Sequence, residues 1–494
     1  MNADGHATGT TGAERTSEPT AARRRVVMAL AFFPRGGSAQ VARYLARGLG
    51  PVGWDTTIVC GSLGRAGEPS HAASFYAGLD VHAVDFTAAA LAPDPLAADP
   101  PFQPSFEDRP GAPDRVYASV DDATFERLVA LWAKALDAAG AARADLLHLH
   151  HLTPIHEAAL RHFPHVPRVG HIHGTELAML DRIRAGAPAG WRYADRWAER
   201  MRRWAQSCDR LLVLSPEAVA RVPAELGVDP DRVVWAPNGF DPQAFDRRPA
   251  SPPERRALWQ RWLVEEPRGW DESGRPGTVA YRPEDLECFA GAAVTFVFVG
   301  RFTAMKRVPL LVRAHARALR ALDVPAPLVI VGGFPGEWEG EHPLAAIRAT
   351  GNRYAFLAGW HGHDELPQAL NAADVFVLPS VREEFGAVIV EAMACGLPAI
   401  VVNAYGPAEI VADGETGWLV PPDDEQALAR ALVEAASDSE ERRARGERAY
   451  AEARRRYGWP ALARGLAAVY DDVVAGRPPR EGSHTLVASD HPGR

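Results

Sequence analysis

Apolar positions along this chain follow two alternating patterns. Short solid runs rich in Val, Ile, Leu and Phe read as strands buried on both faces. In the first half these are RVVMALAFF from Arg25, TTIVCG, DLLHLHH, RVGHIH and RLLVLS. Between them apolar residues recur every three or four positions, as in VARYLARGL, the stripe of a helix lying on a sheet. The alternation predicts an open parallel α/β sheet. A second series starts with VTFVFVG and continues through PLVIVGG, YAFLAG, DVFVLPS and LPAIVVN. Two long helices are predicted to close the chain, one from about Asp424 to Arg455 and one from Trp459 to about Val474.

The pattern divides the chain into six stretches. Residues 1–24 read as a disordered polar tail, 25–245 as a first α/β domain, and 246–292 as a linker or insertion rich in Trp, Pro, Arg and Glu. Residues 293–456 read as a second α/β domain, 457–478 as a helix crossing back to the first, and 479–494 as a disordered tail. A loop dense in Pro, Asp and Ala between Phe86 and Arg115 is expected to be a lid or a mobile excursion.

Composition narrows the class. At 494 residues, with 47% hydrophobic and 24% charged positions, this is a soluble globular chain of two domains. A net charge of −9 argues against nucleic acid as a partner. No run reaches membrane-spanning length, and the first residues lack the apolar core of a signal peptide. Four scattered cysteines form neither a disulfide framework nor a metal-ligand spacing. A cytoplasmic location is expected, and nothing specifies an oligomeric state. Of the 54 basic residues only Lys134 and Lys306 are lysines, so each invites the question whether a compact point charge is required there.

The segment REEFGAVIVEAMACGLP carries the most information. Glu391 sits in a helix apolar on nearly every face, where a carboxylate must find donors or suffer desolvation. Glu383 lies just before that helix, with Phe385 and Gly386 between the two acids. An acid at the mouth of a helix and another inside it suit a polyhydroxylated ligand. After the first strand, PRGGSAQ places Gly36 and Gly37 at a helix start whose N–H groups can face an anion. After the strand ending at Val299, GRFTAMK lets Arg301 and Lys306 converge above a strand end, where open α/β sheets bind ligands.

The histidines His148, His150, His151, His171 and His173 end two strands. A zinc reading fails at this stage because neither a Cys nor a clustered carboxylate completes the set, so no metal site is assigned. His173, followed by Gly174, is the best functional candidate of these. Pro237, Asn238 and Gly239 form a tight turn and a hinge between the halves. Asp229 and Asp231 in VDPDR read as a turn rather than a metal pair. The stretch WRYADRWAERMRRWAQ from Trp191 has two readings: a helix packing Trp197 and Trp204 inward, or a weak contact with an anionic membrane surface.

Together these motifs resemble the retaining glycosyltransferases of family four, from Arg25 to about Val474. YGPAEIV and GETGWLVPP fit the same pattern. The resemblance implies the GT-B fold, two facing Rossmann-like parallel-sheet domains with a cleft between them. It implies transfer of a hexose-type sugar from a nucleotide-diphosphate sugar to a small-molecule or glycoconjugate acceptor, with retention and without a metal. The nucleotide sugar is then a co-substrate and no cofactor is expected. By this resemblance Arg301 and Lys306 would hold the diphosphate, Glu391 the ribose, and Glu383, with backbone near Phe385 and Gly386, the sugar. Gly36 and Gly37 would approach the phosphate from the opposite domain, and His173 would touch the sugar at its reacting face. Trp360 and His361 would flank the nucleobase, largely through backbone groups. Glu384 departs from the family, many of whose members carry glycine there. The alternatives are a sugar-nucleotide epimerase of related fold and a glycolipid glycosyltransferase working at a membrane surface.

Overall fold

The computed structural model describes residues 23–34, 36–107, 114–478 and 485–487. Most of both predicted tails, and residues 108–113 of the proline-rich loop, lie outside the described residues. The first sheet holds β1 (Arg24–Leu30), β2 (Trp54–Ser62), β3 (Asp80–Asp85), β4 (Leu146–His150), β5 (Arg168–His171), β6 (Arg210–Val213) and β7 (Val233–Trp235), in the order β3-β2-β1-β4-β5-β6-β7. The second holds β8 (Phe296–Gly300), β9 (Leu328–Gly332), β10 (Ala355–Gly359), β11 (Val375–Leu378), β12 (Ala399–Val402) and β13 (Gly417–Val420), in the order β10-β9-β8-β11-β12-β13. Every pairing is parallel.

Both sheets reverse their strand order once, between β1 and β4 and between β8 and β11. Crossovers leave in opposite directions at such a point, so a crevice opens beyond the strand ends. The strands that the apolar pattern does not predict, β3, β7 and β13, are all sheet edges. An edge strand is short or partly exposed and needs no solid apolar run. The predicted helix from Asp424 to Arg455 is two helices, Glu425–Ser437 and Ser439–Arg456. The break comes at Asp438, whose carboxylate accepts from the backbone N–H groups of Glu440 and Glu441 at 3.1 and 2.9 Å.

The stretch read as a linker or insertion belongs to the second core. Trp259, Trp262, Leu263 and Trp270 are buried with the residues of β8–β12. Arg268 and Gly359 bridge at the free edge of β10, and a Cβ on Gly359 would lie 2.0 Å from the Arg268 carbonyl oxygen. The described part of the Phe86–Arg115 loop is likewise packed, not a lid. Phe102 and Phe106 are buried, and the Gln103 side chain accepts the Phe33 N–H at 3.1 Å. Within the second tail, Thr485–Val487 also departs from the expectation of disorder. Leu486 donates its N–H to the Trp235 carbonyl at 2.8 Å and is buried beside β7.

The helix Trp459–Val474 packs on the helix Gly37–Leu49 of the first domain, with Trp459 stacked on Tyr44 at 5.6 Å. Entry to this helix is stitched to the turn at Gly239. Phe240 donates to the Tyr457 carbonyl at 2.9 Å and accepts from the Trp459 N–H at 3.1 Å. Two chain segments therefore cross between the domains side by side. A Cβ on Gly239 would lie 2.5 Å from the Tyr457 oxygen, which is why this turn takes glycine. In the helix Ala194–Ser207, Trp197, Met201 and Trp204 are all buried, so its aromatics face inward. No helix among the described residues is long and apolar enough to cross a membrane.

Trp262→Ala should test the placement of residues 246–292. A buried Trp truncated to Ala costs about 3–5 kcal/mol. A large drop in the urea midpoint is therefore expected; an unchanged midpoint would mean that the segment is not part of the core.

Candidate active site

The crevice of the second sheet is built by the loops that follow β8 and β11. The first carries Arg301 and Lys306, the second Glu383. Val381 donates its N–H to the Met305 carbonyl at 3.0 Å, and the Ser380 hydroxyl donates to the same oxygen at 3.3 Å. These bonds fix the two loops against each other and bring the Lys306 ammonium into an ion pair with the Glu383 carboxylate, both largely sheltered from solvent. Arg301 is exposed, and its side chain makes no hydrogen bond or ion pair among the described residues. Its fork of donors is therefore available to a ligand.

Gly386, at φ +90°, starts the helix Ala387–Ala394 in the left-handed region, with no side chain capping the helix. The helix Tyr405–Ile410 presses on the same turn. Gly406 donates to the Glu383 carbonyl at 3.0 Å, and a Cβ on Gly406 would lie 2.5 Å from the Phe385 Cα. Phe385 is buried and meets Tyr457 edge-on at 5.8 Å. Phe385 and Gly386 thus hold Glu383 at the crevice mouth.

Glu391 is buried, and its partner is not an arginine. His363 Nε2 lies 2.8 Å from its Oε1. Burial pulls the His363 pKa down, but the hydrogen bond and charge of Glu391 outweigh it, leaving the histidine above its ordinary value. Arg43, on the first-domain helix Gly37–Leu49, opposes protonation of the same ring by its charge. His363 is the residue that sequence reasoning missed. It stands in the segment GWHGHDEL, two residues after His361, and the second histidine of H-G-H was the available signal.

The neighbouring aromatics separate into two kinds. Trp360 is 46% exposed and meets the equally exposed Phe334 edge-on at 5.9 Å. His361 is turned inward, with its ring stacked under Trp262 at 3.5 Å and its Nδ1 3.2 Å from Arg268. Its imidazole anchors residues 261–268, so contact with a ligand could come only from its backbone.

On the first domain, Gly36 precedes the helix Gly37–Leu49 without a side-chain cap, and a Cβ on Gly36 or Gly37 would meet nothing within 4 Å. Among the described residues, open space thus lies around these glycines at a helix start that no side chain caps. His173 follows β5, and its Nε2 lies 2.9 Å from His150 Nδ1. Burial, reinforced by the neighbouring imidazoles, holds its pKa well below the ordinary value, so it stands neutral at neutral pH. The next residue, Gly174, has φ +93°, and a Cβ there would lie 2.6 Å from the Glu384 Cγ of the opposite domain. Arg382 of the second domain reaches Asp181 of the first at 3.5 Å. These contacts place the His173 end of the first sheet against the Glu383 loop of the second. Burial raises the pKa of Glu384, which fills the gap between the two walls.

Asp229 accepts from the Asp231 N–H at 3.1 Å within a 3₁₀ turn, so that pair is a turn. The histidines ending β4 and β5 converge more closely than their spacing suggested. Rings of His150, His148, His171 and His173 stack in that order, and a ring nitrogen from each of His148, His150 and His171 lies within 4.8 Å of the others.

Family models match the two halves separately. Residues 35–244 match "Glycosyltransferase Family 4", and residues 290–452 match "Glycosyl transferases group 1". The chain is 33% identical over 275 residues to the D-inositol 3-phosphate glycosyltransferase of Stackebrandtia nassauensis, covering 54% of this chain and 55% of that one. It is 37% identical over 189 residues to the enzyme of the same name from Salinispora tropica, covering 36% and 38%. The chain thus spans about half, or less, of the length of the curated relatives it matches. Among solved structures, sucrose-phosphate synthase from Thermosynechococcus elongatus superposes with a TM-score of 0.63 at 18% identity, over 92% of this chain and 100% of that one. Anabaena HepE in complex with UDP and glucose gives 0.61 at 18%, over 90% and 99%. These likenesses identify the fold as GT-B.

The His363–Glu391 pair has a pH signature. A raised histidine pKa stabilises the fold fully below the ordinary value of 6.5, and this contribution is lost as pH rises through the native value. His363→Gln should therefore lower denaturant stability at about pH 5.5 and change it much less at about pH 9. An equal loss at both would show that the pair does not titrate as described.

Proposed function

Because the chain belongs to glycosyltransferase family 4, we propose that it transfers a hexose-type sugar from a nucleotide-diphosphate sugar to an acceptor, with retention of anomeric configuration. The observation that carries this reading is the Lys306–Glu383 pair at the switch point of the second sheet, with Arg301 exposed beside it. Breaking a sugar–phosphate bond requires stabilisation of the departing diphosphate. In this reading Lys306 and Arg301 supply that charge, with helix N–H groups at Gly36–Gly37 reaching the phosphate from the other domain. No metal ion is needed at the diphosphate.

Glu383 accepts hydrogen bonds from hydroxyls of the transferred sugar, assisted by backbone N–H groups near Phe385 and Gly386. Glu391, oriented by His363, accepts from the ribose. Neutral His173 hydrogen-bonds the sugar on its reacting face. Trp360 lies beside the base, with the backbone of His361. The leaving phosphate helps to deprotonate the acceptor on the face it departs from, so no side chain acts as nucleophile. Phosphorylated polyols head the acceptor panel, because the curated relatives are named for D-inositol 3-phosphate.

The test is a nucleotide-sugar binding screen by thermal shift, followed by mass spectrometry of acceptor products. Product with the anomeric configuration of the donor is expected. Conversion of the nucleotide sugar without any acceptor would instead establish an epimerase. Lys306→Ala should lower kcat about 10²–10³-fold, the usual loss for one electrostatic stabiliser of the transition state. Glu391→Ala should also cut turnover severely, with both variants folded by circular dichroism. Wild-type activity in both would overturn the site.

A further inference from the structure

The histidine cluster beneath the first-domain wall has a chemistry that sugar transfer does not use. His148 and His150 lie two positions apart on β4, so their side chains share one face of the sheet. His171 pairs directly with His150 in the β4–β5 register and therefore points to that same face. Two imidazoles at i and i+2 on a strand, with a third on its neighbour, form three corners of a tetrahedral metal site.

The hydrogen bonds sort the ring nitrogens. His148 Nδ1 bonds the Tyr470 hydroxyl at 2.5 Å, and His150 Nδ1 bonds His173 Nε2 at 2.9 Å. Among the described residues, the Nε2 atoms of both rings, and both ring nitrogens of His171, are buried without a partner. A metal-binding histidine characteristically donates its second N–H to a supporting group, which leaves the other nitrogen as ligand. Tyr470 and His173 are placed to accept those N–H groups. Four unpartnered buried nitrogens would otherwise be a large desolvation cost with no return.

We propose that His148, His150 and His171 bind one divalent transition-metal ion of the zinc class. Three neutral imidazoles suit zinc, cobalt, nickel and copper, whereas magnesium and calcium call for oxygen ligands. One ring nitrogen of each histidine lies within 4.8 Å of the others, and the ligand nitrogens draw together to the ~3.3 Å separation that tetrahedral Zn–N bonds of about 2.0–2.1 Å require. Ring rotation turns the stacked imidazoles so that their lone pairs meet. The ion also reaches the cleft indirectly. With His150 Nε2 on the metal, its Nδ1–H donates to His173 Nε2, and His173 then carries its own proton on Nδ1. His150 acts here as a positioning residue for His173.

The experiment uses untagged full-length protein, stripped with dipicolinate and titrated with Co²⁺. About one equivalent should bind per chain, with the intense visible absorption of four-coordinate cobalt, and Zn²⁺ should displace it. His148→Gln and His171→Gln should each weaken binding at least about tenfold with an unchanged circular dichroism spectrum. His156→Gln, which changes a buried imidazole outside the set, should leave it intact. Native protein that binds neither ion in competition with a micromolar chelator overturns the proposal. So does Co²⁺ binding that survives both glutamine substitutions. If those variants do not fold, X-ray absorption of zinc-loaded wild type decides. About three imidazole ligands at ~2.0–2.1 Å uphold the site, and a shell of sulfur or of oxygen alone overturns it.

Discussion

The contact between the Lys306 ammonium and the Glu383 carboxylate constrains the rest of the second domain. It joins two loops that leave strands on either side of a topological switch point, and neither loop could hold its charged group there alone. The Met305 carbonyl ties them by accepting from Val381 and Ser380, and Gly406 clamps the carbonyl of Glu383 from the far side. A sheltered charge must be paired, and the pair needs backbone donors and acceptors that do not move. The glycines at 386 and 406 follow from that requirement. One lets the chain enter a helix through a left-handed turn, and the other lets a second helix press against Phe385.

The first domain meets this site as a wall whose distance is set elsewhere. The turn at Gly239 and the turn at Gly458 run side by side and exchange two backbone hydrogen bonds, so both crossings flex as one unit. Across the cleft, Gly174 against Glu384 and Asp181 against Arg382 bring the walls into contact. Glu384 fills the gap between the two walls. Its burial raises its pKa, so the side chain works as a spacer between the walls as much as a charge. A ligand large enough to span the cleft must displace or recruit it.

Much of the site was legible because its groups sit in local patterns. Glu391 stood out as a carboxylate in an apolar helix, Lys306 as one of two lysines, and Gly36–Gly37 as an uncapped helix start. What escaped was set by contacts between distant segments. The partner of Glu391 is 28 positions away, and only the β10 crossover brings His363 to it. Local spacing shows no complete ligand set among the histidines, and it is the parallel register of β4 and β5 that brings His148, His150 and His171 together. Residues 246–292 looked like a linker because their tryptophans follow no period; they pack on the free edge of β10, where the π-helical turn Arg261–Glu265 and the Arg268–Gly359 bridge take the place of a strand. The edge strands β3, β7 and β13 were invisible for the opposite reason. Being short or half exposed, they carry no solid apolar run to read.

Protonation is distributed unevenly across the cleft. In the proposed transfer, negative charge grows on the departing phosphate while positive charge grows on the sugar. Cations are useful on the phosphate side and harmful beside the sugar ring. Lys306 and Arg301 lie on the second-domain side, and the group offered by the first domain at His173 is kept uncharged. Burial disfavours the charged ring, and packing among His150, His151 and His171 adds to that, because each neighbouring imidazole opposes a proton on His173. Burial and the stack of histidines together account for the neutrality of the ring that reaches the cleft. A metal on the three beneath it would strengthen that bias, since a buried divalent charge opposes protonation of His173 further.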